Sequence, residues 1–498
     1  MKHFRHHHGI LFLACAVLFI AACGQQKEST DDVPVTTVSD EAREYYLQAR
    51  YLHEVGRNDD AIPLLDKAIA ADSTFALAYC DRGYLSDNAV LWTTYRDLAE
   101  RYAAGSSEAE QLIISSMRKF EESDTEGMLE ICRQLAEMYP RSARARLFLA
   151  DAYDNLGQTG ECRKAAEEAV KLDSEYPAAH SFLAYEYTFN EPIDLGKAEQ
   201  YARSYADLAP EESEPFIRLG DVYRAQDKLL EAHEAYARAV ELQPGHTTAH
   251  MKKGHANSFM GHYEEARADY RSALNTAEGL DRMYALNYSV ITHVMDNDIE
   301  AALEANQDEL QQLPELITDP GTLLRARSLC CIHRMNLAIW TGKFDIAREA
   351  FENYASSYRR IAEQMDSPEF NTMAEANILR YESALHAHMG EYDRGRELAD
   401  RSAEYLKDLK NPRAMENVHL LWGFIALKQE NYTKALEHFK RADPENIVVK
   451  FRTAQAEEGL GNTERAMKLY REIADYRFLD LSVALIRGKV LGRLGTVS

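Results

Sequence analysis

Residues 213–246 read SEPFIRLGDVYRAQDKLLEAHEAYARAVELQPGH, and residues 247–280 read TTAHMKKGHANSFMGHYEEARADYRSALNTAEGL. Laid one under the other, Gly220 meets Gly254, Ala232 meets Ala266, Tyr236 meets Tyr270 and Ala239 meets Ala273, a period of 34 residues. A fixed period of this size is the signature of a stacked-helix array and precedes any other fold reasoning. Each block holds two helical stretches. Small residues such as Gly220, Ala232 and Ala239 let the helices approach, and Phe216, Leu219, Tyr223 and Tyr236 fill the seam between them. Pro244 stops the second helix, because proline in a helix interior removes a hydrogen bond. One such hairpin cannot bury its apolar face alone, so stability comes from its neighbours.

The register extends outward from these blocks. With first positions at 42, 76, 109, 143, 177, 213 and 247, position 8 is Ala49, Gly83, Ser116, Ala150, Ala184, Gly220 and Gly254. Gly157 and Gly261 fall where a first helix ends, a place that favours a left-handed backbone. The second unit departs from the pattern. Tyr95 and Tyr102 replace its small residues, which predicts looser packing there. Beyond Leu280 the small residues continue with wider spacing, at Gly342, Gly390, Gly423 and Gly461. Residues 281–325 and 352–372 are expected to hold longer connections or longer helices.

This pattern resembles the tetratricopeptide repeat, most closely at 143–176, 213–246 and 247–280. The resemblance implies an all-α fold, a right-handed superhelical solenoid of stacked antiparallel helix pairs. It divides the chain into a regular array at 39–280, divergent repeats at 281–478 and a C-terminal capping helix at 479–498. Arg487, Lys489 and Arg493 suit that helix to solvating the end of an open array. Ser39, followed by Asp40 and Glu41, is a candidate N-cap for the first repeat helix.

The N-terminus is a separate object. Lys2 and Arg5 precede the apolar run ILFLACAVLFIAA at 10–22. That run is shorter than the roughly 20 residues a bilayer-spanning helix needs and has the form of a secretory signal. Its end, Ile20-Ala21-Ala22-Cys23, resembles the lipobox of bacterial lipoproteins. The resemblance implies that 1–22 is a signal peptide and that Cys23 is lipidated and begins the mature chain. Residues 23–38 would then form a flexible tether, for which a coil reach of roughly 20 Å is expected. Two or three acyl chains anchor stably where one holds marginally. The localisation implied is the bacterial envelope, at the outer membrane facing the periplasm. His6, His7 and His8 lie in the segment expected to be removed and carry no metal expectation.

Composition narrows the function classes. The 498 residues are 46% hydrophobic and 28% charged, normal for a folded chain. Loss of Lys2 and Arg5 moves the formal charge from −24 to −26. So acidic a chain, with no basic aromatic patch, does not suit nucleic acid phosphates. The body cysteines, Cys80, Cys132, Cys162, Cys330 and Cys331, are odd in number and irregular in spacing. They match neither a disulfide framework nor a zinc motif, and are expected in the core. No metal and no cofactor is expected. Glycine-spaced GKVLGRLG at 488–495 lacks phosphate-loop order. His386 and His388 are two apart and diverge on a helix. DNDIE at 296–300 lacks the glycine and final glutamate of a calcium loop. The chain is expected not to be an enzyme.

In the family it resembles, first helices line a concave groove, with positions 5, 9, 12 and 13 among those facing it. Mapped onto this chain, those positions give Leu147, Asp151 and Asp154; Tyr185 and Phe189; Ile217, Asp221 and Arg224; and Met251, His255 and Phe259. The paired lysines and asparagines with which some members grip a C-terminal carboxylate are absent. The mixture of apolar, aromatic and acidic side chains suits a partner segment with apolar and Lys or Arg residues. The expected function is a lipid-anchored scaffold or adaptor for envelope proteins or peptides. The alternative is a glycan or small-molecule binder with a pocket formed by the irregular C-terminal repeats.

Overall fold

A computed structural model describes residues 32–86 and 89–495. The expected signal peptide, Cys23 and the start of the tether lie outside them. The described residues form 25 α-helices, which pair into 12 hairpins with one helix left over at the C-terminal end. They contain no strand, and no helix among them is long and apolar enough to cross a membrane. The architecture is an all-helical solenoid.

The periodic residues act as their chemistry requires. Gly220 faces the Tyr236 ring so closely that a Cβ would sit 2.5 Å from Cε1, and Gly254 faces Tyr270 in the same way. Both tyrosines are buried. The helix-to-helix turns need one left-handed residue, supplied by Gly157 (φ 67°) and Gly261 (φ 81°). In other hairpins Asp227 and Asn297 take that conformation, as short polar side chains can. Ser39 Oγ accepts from the Ala42 amide at 3.1 Å. Ser107 and Glu110 form a reciprocal cap. In the second unit Tyr79 stacks on Tyr102 at 5.9 Å and meets Tyr95 at 6.2 Å, so aromatic rings occupy the space that close helix contact would have filled.

Past residue 279 the hairpins lengthen. Gly279–Met295, Ile299–Leu316, Pro320–Trp340, Phe344–Met365 and Pro368–His388 run 17 to 22 residues, against 13 or 14 at 143–172. The extra length is helix rather than loop, and this is what stretches the period.

Two segment expectations need correction. Residues 32–38 are not part of a free tether. Val33 and Val35 are buried against the first hairpins, and the Thr36 amide donates to Glu110 Oε1 at 2.7 Å. The alternating valines of an extended strand-like segment bury on one side. The last helix, Leu481–Leu494, is not a solvating cap on an open array. Val483, Ile486 and Val490 pack on Tyr470 and Ile473 of the preceding hairpin. Leu481, Ala484 and Leu485 pack with Val290, Ile291 and Met335 from mid-chain. A helix apolar on both sides must be covered on both.

The solenoid winds back against itself. Arg57 pairs with Glu212 at 3.5 Å. Lys410 reaches Asp124 at 3.2 Å, and Glu445 Oε1 accepts from the Glu191 amide at 2.9 Å. Arg477 pairs with Asp227 at 2.7 Å. The turn edges of the early hairpins thus rest on later ones.

Candidate functional site

The concave face divides into a filled part and an open part. In the filled part, Asp221 sits on the first helix of the 213–246 unit and is buried. Its Oδ1 accepts from Arg224 Nη2 at 2.9 Å, the Tyr236 hydroxyl at 2.7 Å and Lys252 Nζ at 3.0 Å. Burial alone pushes its pKa up, but the Lys252 and Arg224 cations outweigh that and hold the carboxyl well below the usual range. Arg224 Nη1 lies 3.3 Å from His255 Nδ1. Burial, with Arg224 and Lys252 beside it, keeps His255 neutral. Ile217 and Met251 are buried in the apolar core.

This network is roofed by the chain itself. Residues 476–480 leave the last hairpin without helical structure. Phe478 packs on Phe189 at 5.6 Å, with the Arg224 guanidinium at 5.7 Å and Lys252 Nζ at 5.9 Å from its ring. Arg477 and Arg487 both lie over Phe259, at 5.9 and 5.6 Å. Seven of the eleven groove residues read from the sequence, Phe189, Ile217, Asp221, Arg224, Met251, His255 and Phe259, are therefore committed to internal contacts.

Leu147, Asp151, Asp154 and Tyr185 remain accessible. Asp151 is exposed, Tyr185 is 42% exposed, and Leu147 and Asp154 are half-buried. Water reaches Asp151, yet protein surrounds it on the concave side. That desolvation, with Asp154 nearby, pushes its pKa up to about 6. Tyr185 meets the Phe189 ring at 5.0 Å in a tilted arrangement, so the open part adjoins the filled part.

The open part extends into the first two hairpins. Arg50, His53, Asp81 and Tyr84 line a small hollow there. Tyr84 is 62% exposed and its ring lies 5.9 Å from His53. Burial and the neighbouring Asp151 and Asp81 raise the Tyr84 pKa, so this hollow and Asp151 share one electrostatic environment. The signal for these residues was available. Arg50, His53 and Tyr84 hold positions 9, 12 and 9 of the first and second units, the positions that face the groove in the regular units.

Residues 281–325 and 352–372 are chiefly longer helices rather than irregular connections, and residues of the second stretch line a concavity. This shallow groove lies between Phe344–Met365 and Pro368–His388, lined by Phe351, Arg359, Ile378 and Glu382 among others. Arg359 is already paired there with Glu375 at 2.7 Å. The five body cysteines are free thiols in buried positions. Among the described residues, one group of metal-capable side chains, Asp154, Cys162 and Glu186, brings its ligand atoms within 4.8 Å of one another.

The tetratricopeptide repeat model matches residues 143–176, 213–246 and 247–279. The chain therefore contains tetratricopeptide repeats. It is 31% identical over 153 residues to the human protein O-mannosyl-transferase TMTC1, which covers 30% of this chain and 17% of that protein. The chain thus spans about a sixth of the length of the curated relative it matches. Among solved structures, the APC/C hetero-tetramer Cut9–Hcn1 matches at 14% identity over 88% of this chain and 78% of that one, with a TM-score of 0.38. A thermophilic repeat protein of Thermus thermophilus, TTC0263, matches at 17% identity over 36% of this chain and 98% of its own, with a TM-score of 0.32.

Proposed function

We propose that this chain is a non-enzymatic, protein-binding scaffold whose partner enters the open part of the concave face. The carrying observation is the division of that face: Leu147, Asp151, Asp154, Tyr185 and Tyr84 stay accessible while the adjoining part is covered by the chain's own C-terminal segment. The covering segment also supports the partner's chemistry. Tyr476-Arg477-Phe478 combines aromatic rings with a cation that pairs with an acid of the groove edge. A partner segment of the same kind, apolar or aromatic with Lys or Arg, suits the tyrosines and aspartates left open.

The site is carried on a lipid anchor at Cys23, in the bacterial envelope and at the outer membrane facing the periplasm. The lipobox at 20–23 supports that placement. Substituting Asp151→Asn, Tyr185→Ala and Tyr84→Ala together should abolish partners crosslinked in native envelopes while leaving helical content by circular dichroism unchanged. An unchanged crosslinked set would refute the groove reading. Cys23→Ala should move the protein out of the detergent-rich phase, and retention there would refute the anchor.

A further inference from the structure

We infer that Asp154, Cys162 and Glu186 form a binding site for a divalent transition-metal ion of the zinc type. The three side chains come from three consecutive helices. Asp154 stands in the last turn of Ala143–Asn155, Cys162 in the first turn of Thr159–Leu172, and Glu186 on Pro177–Phe189. Their ligand atoms lie within 4.8 Å of one another.

Two features set this cluster apart from a chance gathering of acids. Cys162 and Glu186 are both fully buried, at 0% exposure. Within that buried pair, Glu186 Oε1 accepts from Asn190 Nδ2 at 2.6 Å, whereas Oε2 has no well-aligned donor and the carboxylate has only the weak Cys162 thiol beside it. A buried carboxylate oxygen whose neighbouring donor is only a thiol is poorly satisfied, and a cation bound there supplies what it lacks. Asp154 is half-buried and faces the open part of the concave side, which gives an ion a way in.

The charge balance also fits. Arg163 is the adjacent cation, but its Nη atoms are spent on carbonyl oxygens: Pro192 at 2.8 Å, Glu186 at 2.7 Å and Asn190 at 2.6 Å. The fully deprotonated trio carries three negative charges, against Arg163 beside it and Arg413, which also acts on Asp154, so acid remains in excess for a cation to meet. Binding deprotonates the Cys162 thiol, whose proton leaves to solvent.

The donor set selects the metal class. A thiolate disfavours magnesium and calcium, which take hard oxygen ligands, and suits zinc with carboxylate co-ligands. Asn190 supplies the fourth ligand. Its Nδ2 lies 2.6 Å from Glu186 Oε1 and 3.2 Å from Asp154 Oδ1, and a half-turn of the amide puts the oxygen there instead. Cysteine spacing hid the site, because only one of the ligands is a cysteine and each of the three comes from a different helix.

Cobalt titration of the full-length, reduced protein tests the site, since a cobalt–thiolate bond gives a near-ultraviolet charge-transfer band that histidine or carboxylate ligands alone do not. The wild type should develop the band with one equivalent bound and lose it when zinc is added. Cys162→Ala should abolish it. Alanine is the residue that Ala232 and Ala266 place at this position of the regular repeats, so this variant should keep its fold, as circular dichroism will report. Asp154→Asn should weaken binding by at least about tenfold. No band in the wild type, or an undiminished band in Cys162→Ala, would overturn the assignment.

Discussion

The hairpins at 143–276 and those at 279–406 solve the same packing problem differently. The first set uses short helices held at close range by glycine and buried tyrosine, as at Gly220–Tyr236 and Gly254–Tyr270. The second set uses helices of up to 22 residues and fills a longer seam with aliphatic and aromatic side chains such as Ile291, Met335, Leu337 and Tyr354. Close approach depends on specific small residues at fixed positions and so leaves a readable period. A long seam tolerates many apolar sequences, and its period blurs.

The two sets also bury carboxylates in opposite ways. Asp221 in the first is held ionised by Arg224 and Lys252. Glu309 in the second is 1% exposed and receives neutral donors, Asn306 Nδ2 at 3.0 Å and the Cys330 thiol at 3.1 Å. Burial without a cation pushes its pKa up to about 7.

Breaking the Asp221 network should have the largest effect. Asp221→Ala leaves Arg224 and Lys252 facing each other in the interior and should cost about 3–5 kcal/mol. Hydrogen exchange should show the loss concentrated in residues 213–276, because repeat arrays transmit stability between neighbours. A loss spread evenly to residues 368–406 would contradict the comparison.

The pH response should separate the two carboxylates. The folded pKa of Glu309 lies above its ordinary value, so the native state binds more protons between about pH 4.5 and 7. Its contribution therefore declines as pH rises through that window. Glu309→Gln should remove that decline, an effect of at most about 3 kcal/mol. Asp221 has the opposite sign: its folded pKa is depressed, so its contribution is present above the ordinary carboxylate pKa and is lost on acidification below it. Denaturant midpoints measured across pH in Glu309→Gln and the wild type test the first sign. Parallel profiles would contradict it.

Gly254→Ala should have the smallest effect, about 1–3 kcal/mol for overpacking against Tyr270. Pairing it with Tyr270→Leu should recover part of the loss in thermal denaturation. No recovery would show that helix proximity there is not set by this contact.

Much of the fold was legible because its determinants are local. The Ser39 cap and Gly157 and Gly261 in the hairpin turns depend on residues a few positions apart, and the 34-residue register on contacts within one hairpin, such as Gly220–Tyr236. The candidate site was legible only in part. Leu147, Asp151, Asp154 and Tyr185 stand open as the repeat geometry implies. The covering of Asp221, Arg224 and His255 depends on Arg477 and Phe478, some 250 residues further on, and no periodic signal carries that contact. The one hint was the final helix, where Leu481, Val483, Leu485, Ile486 and Val490 are more apolar residues than one packed side requires. Likewise the burial of Val33 and Val35 was masked by the polar residues around them.

The central claim is that the concave face is filled from its C-terminal side by the chain's own 476–480 segment. Cysteines placed at Asp227 and Arg477, whose side chains meet at 2.7 Å, test it directly with a short bis-maleimide at low protein concentration. The account predicts rapid crosslinking within single molecules, seen as a monomer of altered gel mobility with the 227–477 link confirmed by mass spectrometry. Absence of that link, or its formation only between molecules, would contradict it.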